Sequence, residues 1–352
     1  MHRPLRRNGG NQASGFFPQA APEDLGLPSG YEVDPRLAPW WKRKLPALPQ
    51  GHPERPRVLQ LRNVIVLHNG LVCQDRRILG CSSLFGRLTP AIVLEAAALI
   101  AERRKFDFVH EAVLVARSTN EQGTFGDYVM EFLLSFAWIS REFSGPYLLD
   151  ADFARRHAPE DLAAKQCTWI DLPWPGLRIG HLTVVGPSQH WDDFQAANIG
   201  RVRRHFGIAP QRQHGKKIYL SRHGWAHQAG TKQSRRLENE EEVESFLHDR
   251  GFEILRPHTM DNARVRAAVG AADIVVAAHG AAMTHLMFAQ PSAVVELASV
   301  SWWVPCYLKM CRALQVPSYV ALAAQPDGSI NLQELASVLA RMEGSPSGAK
   351  AP

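Results

Sequence analysis

The C-terminal half of the chain alternates short apolar runs with segments whose apolar residues recur at helical spacing. The runs KKIYLSR, FEILRP, DIVVAA, AVVELA and PSYVALA predict strands. NEEEVESFLHDRG, DNARVRAAVGAA and the segments beginning at Ala281 and Trp302 predict the helices between them. Strands that alternate with helices pair in parallel through right-handed crossovers. We therefore predict a Rossmann-like α/β fold for this half, with an open sheet covered on both faces.

The N-terminal half predicts a less regular mixture of elements. PRVLQLRNVIVLHNGLVCQ is typical of a hairpin that turns at Asn69-Gly70. Helical patterns run from Thr89 to Lys105 and from Thr124 to Arg141, and WDDFQAANIGRVRRHFG predicts a third helix. Between them EAVLVAR, GPYLLD and HLTVVGP predict strands. This half is therefore also expected to be α/β.

The chain of 352 residues is long enough for two domains. Its periodicity divides it into four segments. Residues 1–55 are rich in Pro, Gly, Asn and Gln, and we predict an irregular N-terminal arm. Residues 56–207 and 208–343 predict an N-terminal and a C-terminal domain. The final residues 344–352, GSPSGAKAP, predict a disordered tail.

Composition is that of a soluble globular chain, with 45% hydrophobic and 21% charged residues. Its apolar runs fall short of the roughly 20 residues of a spanning helix. The N-terminal residues MHRPLRRNGGNQASG are basic but lack the apolar core of a secretory signal. We therefore expect a cytoplasmic protein.

Charge and cysteine content limit the kinds of ligand that the protein is expected to bind. The net charge is +6, but the basic residues are dispersed and no nucleic-acid motif accompanies them, so we predict no nucleic-acid partner. An anionic small ligand such as a nucleotide explains scattered arginines equally well. The five cysteines are scattered without a CxxC pair, and the spacing of His279 and His285 differs from an i,i+4 pair. We therefore predict neither a metal site nor a cofactor.

The turn after DIVVAA is the first candidate for binding chemistry. In open α/β sheets ligands lie beyond the carboxyl ends of strands, where a helix offers unpaired N–H groups. Gly280 would let the backbone bend, and Ala281 and Ala282 would leave room for a phosphate. The alternative is that Gly280 only makes a tight turn while His279 packs.

The run HGAAMTHLMFAQPSAVVEL resembles the signature of family 61 glycosyltransferases. That signature has a His-Gly-Ala-Gly-Leu-Thr-type turn, then Phe, a Pro-small pair and a strand ending in Glu. IYLSRHG resembles the family's Ser-Arg strand end, and RRLENEEEV resembles its Arg-x-x-x-Asn-Glu segment. These motifs cover about Lys217 to Ala298. FGDYVMEFLL from Phe125 lies where the family has an aromatic-His-Trp stretch.

The resemblance implies a GT-B fold, in which two Rossmann-like domains face each other across a cleft. The C-terminal domain would bind a nucleotide-sugar donor, and the N-terminal domain would take a polysaccharide or glycolipid acceptor of the bacterial surface type. Transfer would invert the anomeric carbon without a metal ion. Peripheral association with a membrane and the oligomeric state are left open.

The resemblance and the strand ends together imply a set of donor-binding residues: Ser221, Arg222, Arg235, Arg236, Asn239, Glu240, His279, Gly280, Ala281, Ala282, Thr284 and Glu296. Four of these have structural alternatives. Arg222 could pair with a surface carboxylate, and Asn239 and Glu240 could simply begin a helix. Glu296 could bond ribose hydroxyls or be the buried partner of a basic group.

The catalytic candidates are Asp127 and Glu131. Asp127 stands where the family commonly has His, Tyr128 replaces Trp, and Glu131 replaces the usual acid. An inverting transfer needs one general base for the acceptor hydroxyl, and we choose Asp127 first and Glu131 second. Alternatively, Asp127 offsets a helix dipole and Glu131 is solvated. The departures also leave open a nucleotide-sugar epimerase of similar fold or a non-catalytic nucleotide-sugar-binding scaffold.

Overall fold

The computed structural model describes most of the chain between residues 29 and 344. The described residues are 29–37, 58–68, 70–75, 77–79, 90–101, 105–115, 128–143, 145–149, 168–186, 194, 196–225, 236–301 and 303–344.

The strands lie in two sheets. They are β1 (Tyr31–Val33), β2 (Val58–Leu67), β3 (Val72–Gln74), β4 (Arg77–Ile78), β5 (Asp107–Val115), β6 (Tyr147–Leu149), β7 (Trp169–Asp171), β8 (Gly176–Val185), β9 (Lys217–Leu220), β10 (Phe252–Leu255), β11 (Ile274–Ala278), β12 (Ala293–Ala298) and β13 (Ser318–Ala323).

The helices connect and cover these strands. They are α1 (Pro90–Ala101), α2 (Leu134–Ile139), α3 (Ala196–Phe206), α4 (Glu240–His248), α5 (Asn262–Gly270), α6 (Cys306–Ala313) and α7 (Leu332–Gly344). A π-helical segment (Tyr128–Leu133) runs directly into α2, and 3-10 helices lie at Pro35–Leu37, Pro257–Thr259 and Ala281–Phe288. Within the described ranges, no helix combines the length and the apolarity that a bilayer crossing requires.

The C-terminal sheet is parallel throughout, in the order β1–β13–β12–β11–β9–β10. Successive side chains of a strand point to opposite faces. Tyr219 therefore packs with α4 and α7 on one face, whereas Ile218 and Leu220 pack with α5 and α6 on the other. All five residues of β11 are buried. The predicted parallel sheet with two covered faces is confirmed for this half.

Strand β1 is a departure from the predicted irregular arm over residues 1–55. Its three residues extend the C-terminal sheet by pairing with β13. Tyr31 stacks on Tyr319 with 5.6 Å between ring centroids, and its hydroxyl donates to the carbonyl of Val316 at 2.8 Å. A strand this short has no periodicity of its own, and its partner lies at the opposite end of the chain. Only the tertiary pairing makes it a strand.

The N-terminal sheet is mixed, in the order β4–β3–β2–β8–β5–β6–β7. The predicted hairpin is confirmed, because β2 pairs antiparallel with β3 and Gly70 donates its amide to the carbonyl of Leu67 at 2.8 Å. β2 also pairs antiparallel with β8. The pairs β8 with β5, β5 with β6 and β6 with β7 are parallel. The prediction of a second Rossmann-like sheet is therefore wrong for the β2–β4 edge, since a hairpin reverses strand direction.

The two halves share one apolar core. Its buried members include Phe136 and Tyr147 from the N-terminal half and Leu255 and Met287 from the C-terminal half. Arg203 on α3 adds a polar link, because its guanidinium donates to the carbonyl of Met287 at 2.6 Å and to that of Ala289 at 2.5 Å. Helix α3 is thereby fixed against the end of the 3-10 helix Ala281–Phe288.

Candidate functional site

The candidate site lies where the order of the C-terminal sheet changes direction. β9 has β10 on one side and β11 on the other, so the chain leaves β9 towards one edge and returns to its other side. Leu220 and Ala277 are register partners, so the loops after β9 and β11 leave the sheet side by side. In open α/β sheets this reversal is the place where ligands bind.

Arg222 connects these two loops. Its Nη1 donates to the backbone carbonyl of His279 at 2.8 Å. A Cβ atom at position 280 would lie 3.2 Å from the same Nη1, so glycine leaves the space that the guanidinium occupies. The backbone bends at His279 and Gly280 as expected, but the φ of Gly280, 163°, is extended, so the bend does not itself require glycine. The close approach of Arg222 is the physical reason for glycine here.

The guanidinium of Arg222 is a partly buried cation. Burial lowers the pKa of Arg222, with the charge of Glu240 acting in the opposite direction. An arginine nevertheless stays protonated in proteins. Within the described ranges its side chain has no carboxylate at ion-pair distance, so the alternative of a surface ion pair finds no support there. A charge that is partly removed from water is stabilised by a partner of opposite charge, and an anionic ligand would supply one.

The 3-10 helix beside Arg222 adds free donors. It begins at Ala281, as predicted for a helix, and Met283 donates its amide to the carbonyl of Gly280 at 2.9 Å. The amides of Ala281 and Ala282 precede that first bond and have no acceptor among the described residues. Thr284 is fully buried and its hydroxyl donates to the carbonyl of Ala281 at 2.6 Å. Thr284 therefore shapes the turn, and its predicted contact with a nucleotide-sugar donor stays a prediction.

Glu240 holds the loop that carries Arg222. Its Oε1 accepts from the backbone N of Arg222 at 2.5 Å, from the hydroxyl of Ser221 at 3.1 Å and from the hydroxyl of Tyr219 at 3.2 Å. Burial, together with the charge of Glu240, raises the pKa of Tyr219. Glu240 and Ser221 are both buried. They position Arg222, and their direct contact with a nucleotide-sugar donor stays a prediction.

Two other donor candidates make contacts away from Arg222. The side-chain amide of Asn239 donates to the carbonyl of Ile330 at 3.0 Å, and its Oδ1 accepts from the amide of Ile330 at 2.7 Å. Asn239 thus fixes the loop between β13 and α7. The Nε of Arg236 lies 3.7 Å from Glu238 on an exposed surface. Arg235 lies outside the described residues.

Glu296 is fully buried in the middle of the sheet. One carboxylate oxygen accepts from the Nε1 of Trp303 at 3.1 Å and contacts the Nδ1 of His279, and the other accepts from the hydroxyl of Tyr319. Both oxygens are therefore occupied by protein groups. The structure therefore agrees with the second of the two sequence-based interpretations, in which Glu296 is the buried partner of a basic residue, and not with the ribose contact.

The catalytic candidates come from the N-terminal half. Asp127 lies outside the described residues, and its role stays a prediction. Glu131 lies in the π-helical segment Tyr128–Leu133. Single π-helical turns within helices are frequent at functional sites, because they shift a side chain relative to regular helical spacing.

A second polar group lies at the loop after β9, where Nδ1 of His223 is 3.9 Å from Glu244, and was missed in the sequence. Arg256, at the end of β10, donates to both carboxylate oxygens of Glu244 at 3.0 and 2.5 Å. Burial opposes ionisation of Glu244, but the bonds from Arg256 prevail and lower its pKa. Trp225 lies beside His258, with ring centroids 5.8 Å apart. No local pattern could have joined these residues, since they meet only through the pairing of β9 and β10.

Comparison with protein families identifies a match. A model of the protein family described as Glycosyltransferase 61 matches residues 40–295, which is well over half of the chain. The matched range includes Arg222, Glu240 and the turn at Gly280. A search of the curated proteins found no match.

The contacts of Glu240 generate a stability prediction. Glu240→Ala removes the acceptor of three buried donors, so we expect the free energy of unfolding to fall by about 2–4 kcal/mol. Glu241→Ala is the matched control, because Glu241 also lies in the first turn of α4 but is exposed. Its change should stay below about 1 kcal/mol. Equal urea midpoints for the two variants would contradict the role given to Glu240.

Proposed function

Because the chain belongs to glycosyltransferase family 61 and is a glycosyltransferase, we propose that the loops after β9 and β11 bind the diphosphate of a nucleotide-sugar donor. The observation that carries this proposal is the partly buried Arg222 guanidinium beside the amides of Ala281 and Ala282, which have no acceptor among the described residues. A diphosphate would give the cation its counter-charge and the amides their acceptors.

We propose a GT-B arrangement for the two halves. The parallel C-terminal sheet, within residues 208–343, would hold the donor, and the mixed N-terminal sheet, within residues 56–207, would hold the acceptor. The shared core and the Arg203 link support a fixed relation between the sheets near the end of the 3-10 helix. The acceptor is proposed to be a hydroxyl of a polysaccharide or glycolipid.

The proposed reaction is an inverting, metal-independent transfer. The acceptor oxygen forms a bond to the anomeric carbon while the bond from that carbon to the phosphate oxygen breaks. A base on the acceptor side takes the hydroxyl proton, and the nucleoside diphosphate leaves with the bonding electrons. Arg222 and the two amides are placed to stabilise the charge that develops on the leaving group.

The donor site predicts the effect of replacing Arg222. A charge-assisted contact to diphosphate is worth about 1.5–3 kcal/mol, so Arg222→Ala should weaken nucleotide-sugar binding by about 10- to 100-fold. Arg222→Lys should recover only part, because an ammonium cannot reproduce the guanidinium fork. Titration calorimetry against UDP-, GDP-, ADP- and dTDP-sugars measures this. Arg250→Ala, an exposed arginine of the same domain, is the control. Unchanged nucleotide-sugar affinity in Arg222→Ala would contradict the proposed donor site.

Charge stabilisation by protein groups predicts insensitivity to chelation. Sugar transfer should persist after treatment with EDTA followed by desalting, since arginine and amides take the role of a cation. Product is measured by mass spectrometry of the glycosylated acceptor. A loss of transfer that Mn²⁺ or Mg²⁺ restores would show that a metal ion carries the leaving-group charge.

The acceptor side predicts a separate effect on turnover. If Asp127 is the general base, Asp127→Asn should lower kcat by about 10²–10⁴ and leave donor affinity nearly unchanged. Glu131→Gln is compared in the same assay. A large loss in Glu131→Gln with a mild one in Asp127→Asn would transfer the role to Glu131. A lowered melting temperature in Asp127→Asn without ligand would instead mark a structural residue.

A further inference from the structure

We propose that His279 is a positioning residue for the donor site, and that Glu296 acts through it on Arg222. The inference rests on the proposed diphosphate site and assigns its organisation to a chain of contacts that runs from Glu296 to His279 and then to Arg222. The imidazole serves as an anchor for the turn, and the backbone carbonyl of His279 is the group that reaches Arg222.

The chain begins at a fixed point, because Glu296 has no freedom to move. It lies in β12 between β11 and β13 and is fully buried. Its two oxygens face Trp303 and Tyr319 as well as His279, and a buried carboxylate is stable only when such donors satisfy it. Moving the carboxylate would break bonds to the neighbouring strand β13 and to the segment after β12.

The next contact fixes both the ring and the backbone of His279. Nδ1 faces Glu296, and the ring lies edge-on to Tyr307 with 5.3 Å between centroids. The backbone amide donates to the carbonyl of Leu297 at 2.8 Å, which joins the turn to β12. Only 4% of His279 is exposed, so its ring is packed rather than presented to a ligand.

The last contact transmits this position to Arg222. The carbonyl of His279 accepts from Nη1 at 2.8 Å, and the guanidinium lies against the Cα of Gly280. Rotation of the turn would move the carbonyl, and the guanidinium would lose its one side-chain hydrogen bond within the described part of the chain. The free amides of Ala281 and Ala282 follow in the same turn, so cation and amides are placed together.

Two substitutions of His279 distinguish a positioning role, in which the side chain anchors the turn, from direct action of the imidazole on the substrate. The side-chain amide of His279→Asn places a donor near the position of Nδ1 but offers nothing at Nε2, whereas His279→Ala removes both. We expect the affinity for the tightest-binding of UDP, GDP and ADP to fall at least 10-fold in His279→Ala and to stay within about 3-fold of the parent in His279→Asn. Both are measured by calorimetry well below the melting temperature of each variant.

Tyr319→Phe is the matched structural control. It removes the donor to the oxygen of Glu296 that does not face His279, so it should lower the melting temperature but change nucleotide affinity by less than about 3-fold. A double-mutant cycle of His279 and Arg222 tests whether the two residues act together on nucleotide affinity. If His279 acts through Arg222, His279→Ala combined with Arg222→Ala should bind little worse than Arg222→Ala alone.

The outcomes distinguish this inference from the proposed function. A parent protein that binds none of the three nucleotides would overturn the diphosphate site and the inference with it. Binding by the parent together with parental affinity in His279→Ala, or with full additivity in the cycle, would overturn the inference alone. A kcat loss of 100-fold or more in His279→Asn at unchanged affinity would show that the imidazole acts on substrate.

Discussion

A guanidinium partly withdrawn from water is stabilised by nearby dipoles or by an anion from solution, and the candidate site is organised around such a group in Arg222. Arg222 has a backbone carbonyl as its side-chain partner, and no carboxylate of the described residues neutralises it. The carboxylate of Glu240 accepts from the backbone N of Arg222 instead. Because Arg222 lies at the reversal point of the sheet, its positive charge is the basis of the proposed diphosphate site.

The acidic residues of the family motifs thereby gain a structural meaning. Glu240 and Glu296 are both buried. Glu240 holds the loop after β9, and Glu296 holds the turn after β11. Neither oxygen of Glu296 is left for a ligand, and Oε1 of Glu240 already accepts from three donors. Residues that resemble a binding signature therefore divide into those able to touch a ligand and those that keep the others in place.

The two sheets differ in a way that suits different tasks. The parallel sheet ends all its strands at one rim, and in open α/β sheets such a rim gathers the loops that bind a ligand. The mixed sheet carries a hairpin at one edge and parallel strands at the other. The π-helical segment with Glu131 belongs to the mixed half, and it continues into α2, whose residues enter the core shared with the parallel sheet.

The sequence by itself determined the elements whose signal is local. Continuous apolar runs predicted β9 to β13, Asn69-Gly70 predicted the hairpin, and the fold class followed from their order. Helix α7 had such a signal in Leu335, Val338, Leu339 and Met342, but it was not predicted. Only the tertiary structure decided that Tyr31–Val33 is a strand, that Gly280 makes room for Arg222, and that Glu296 faces His279. These features depend on strand register and on contacts between segments far apart in sequence, which periodicity along the chain does not encode.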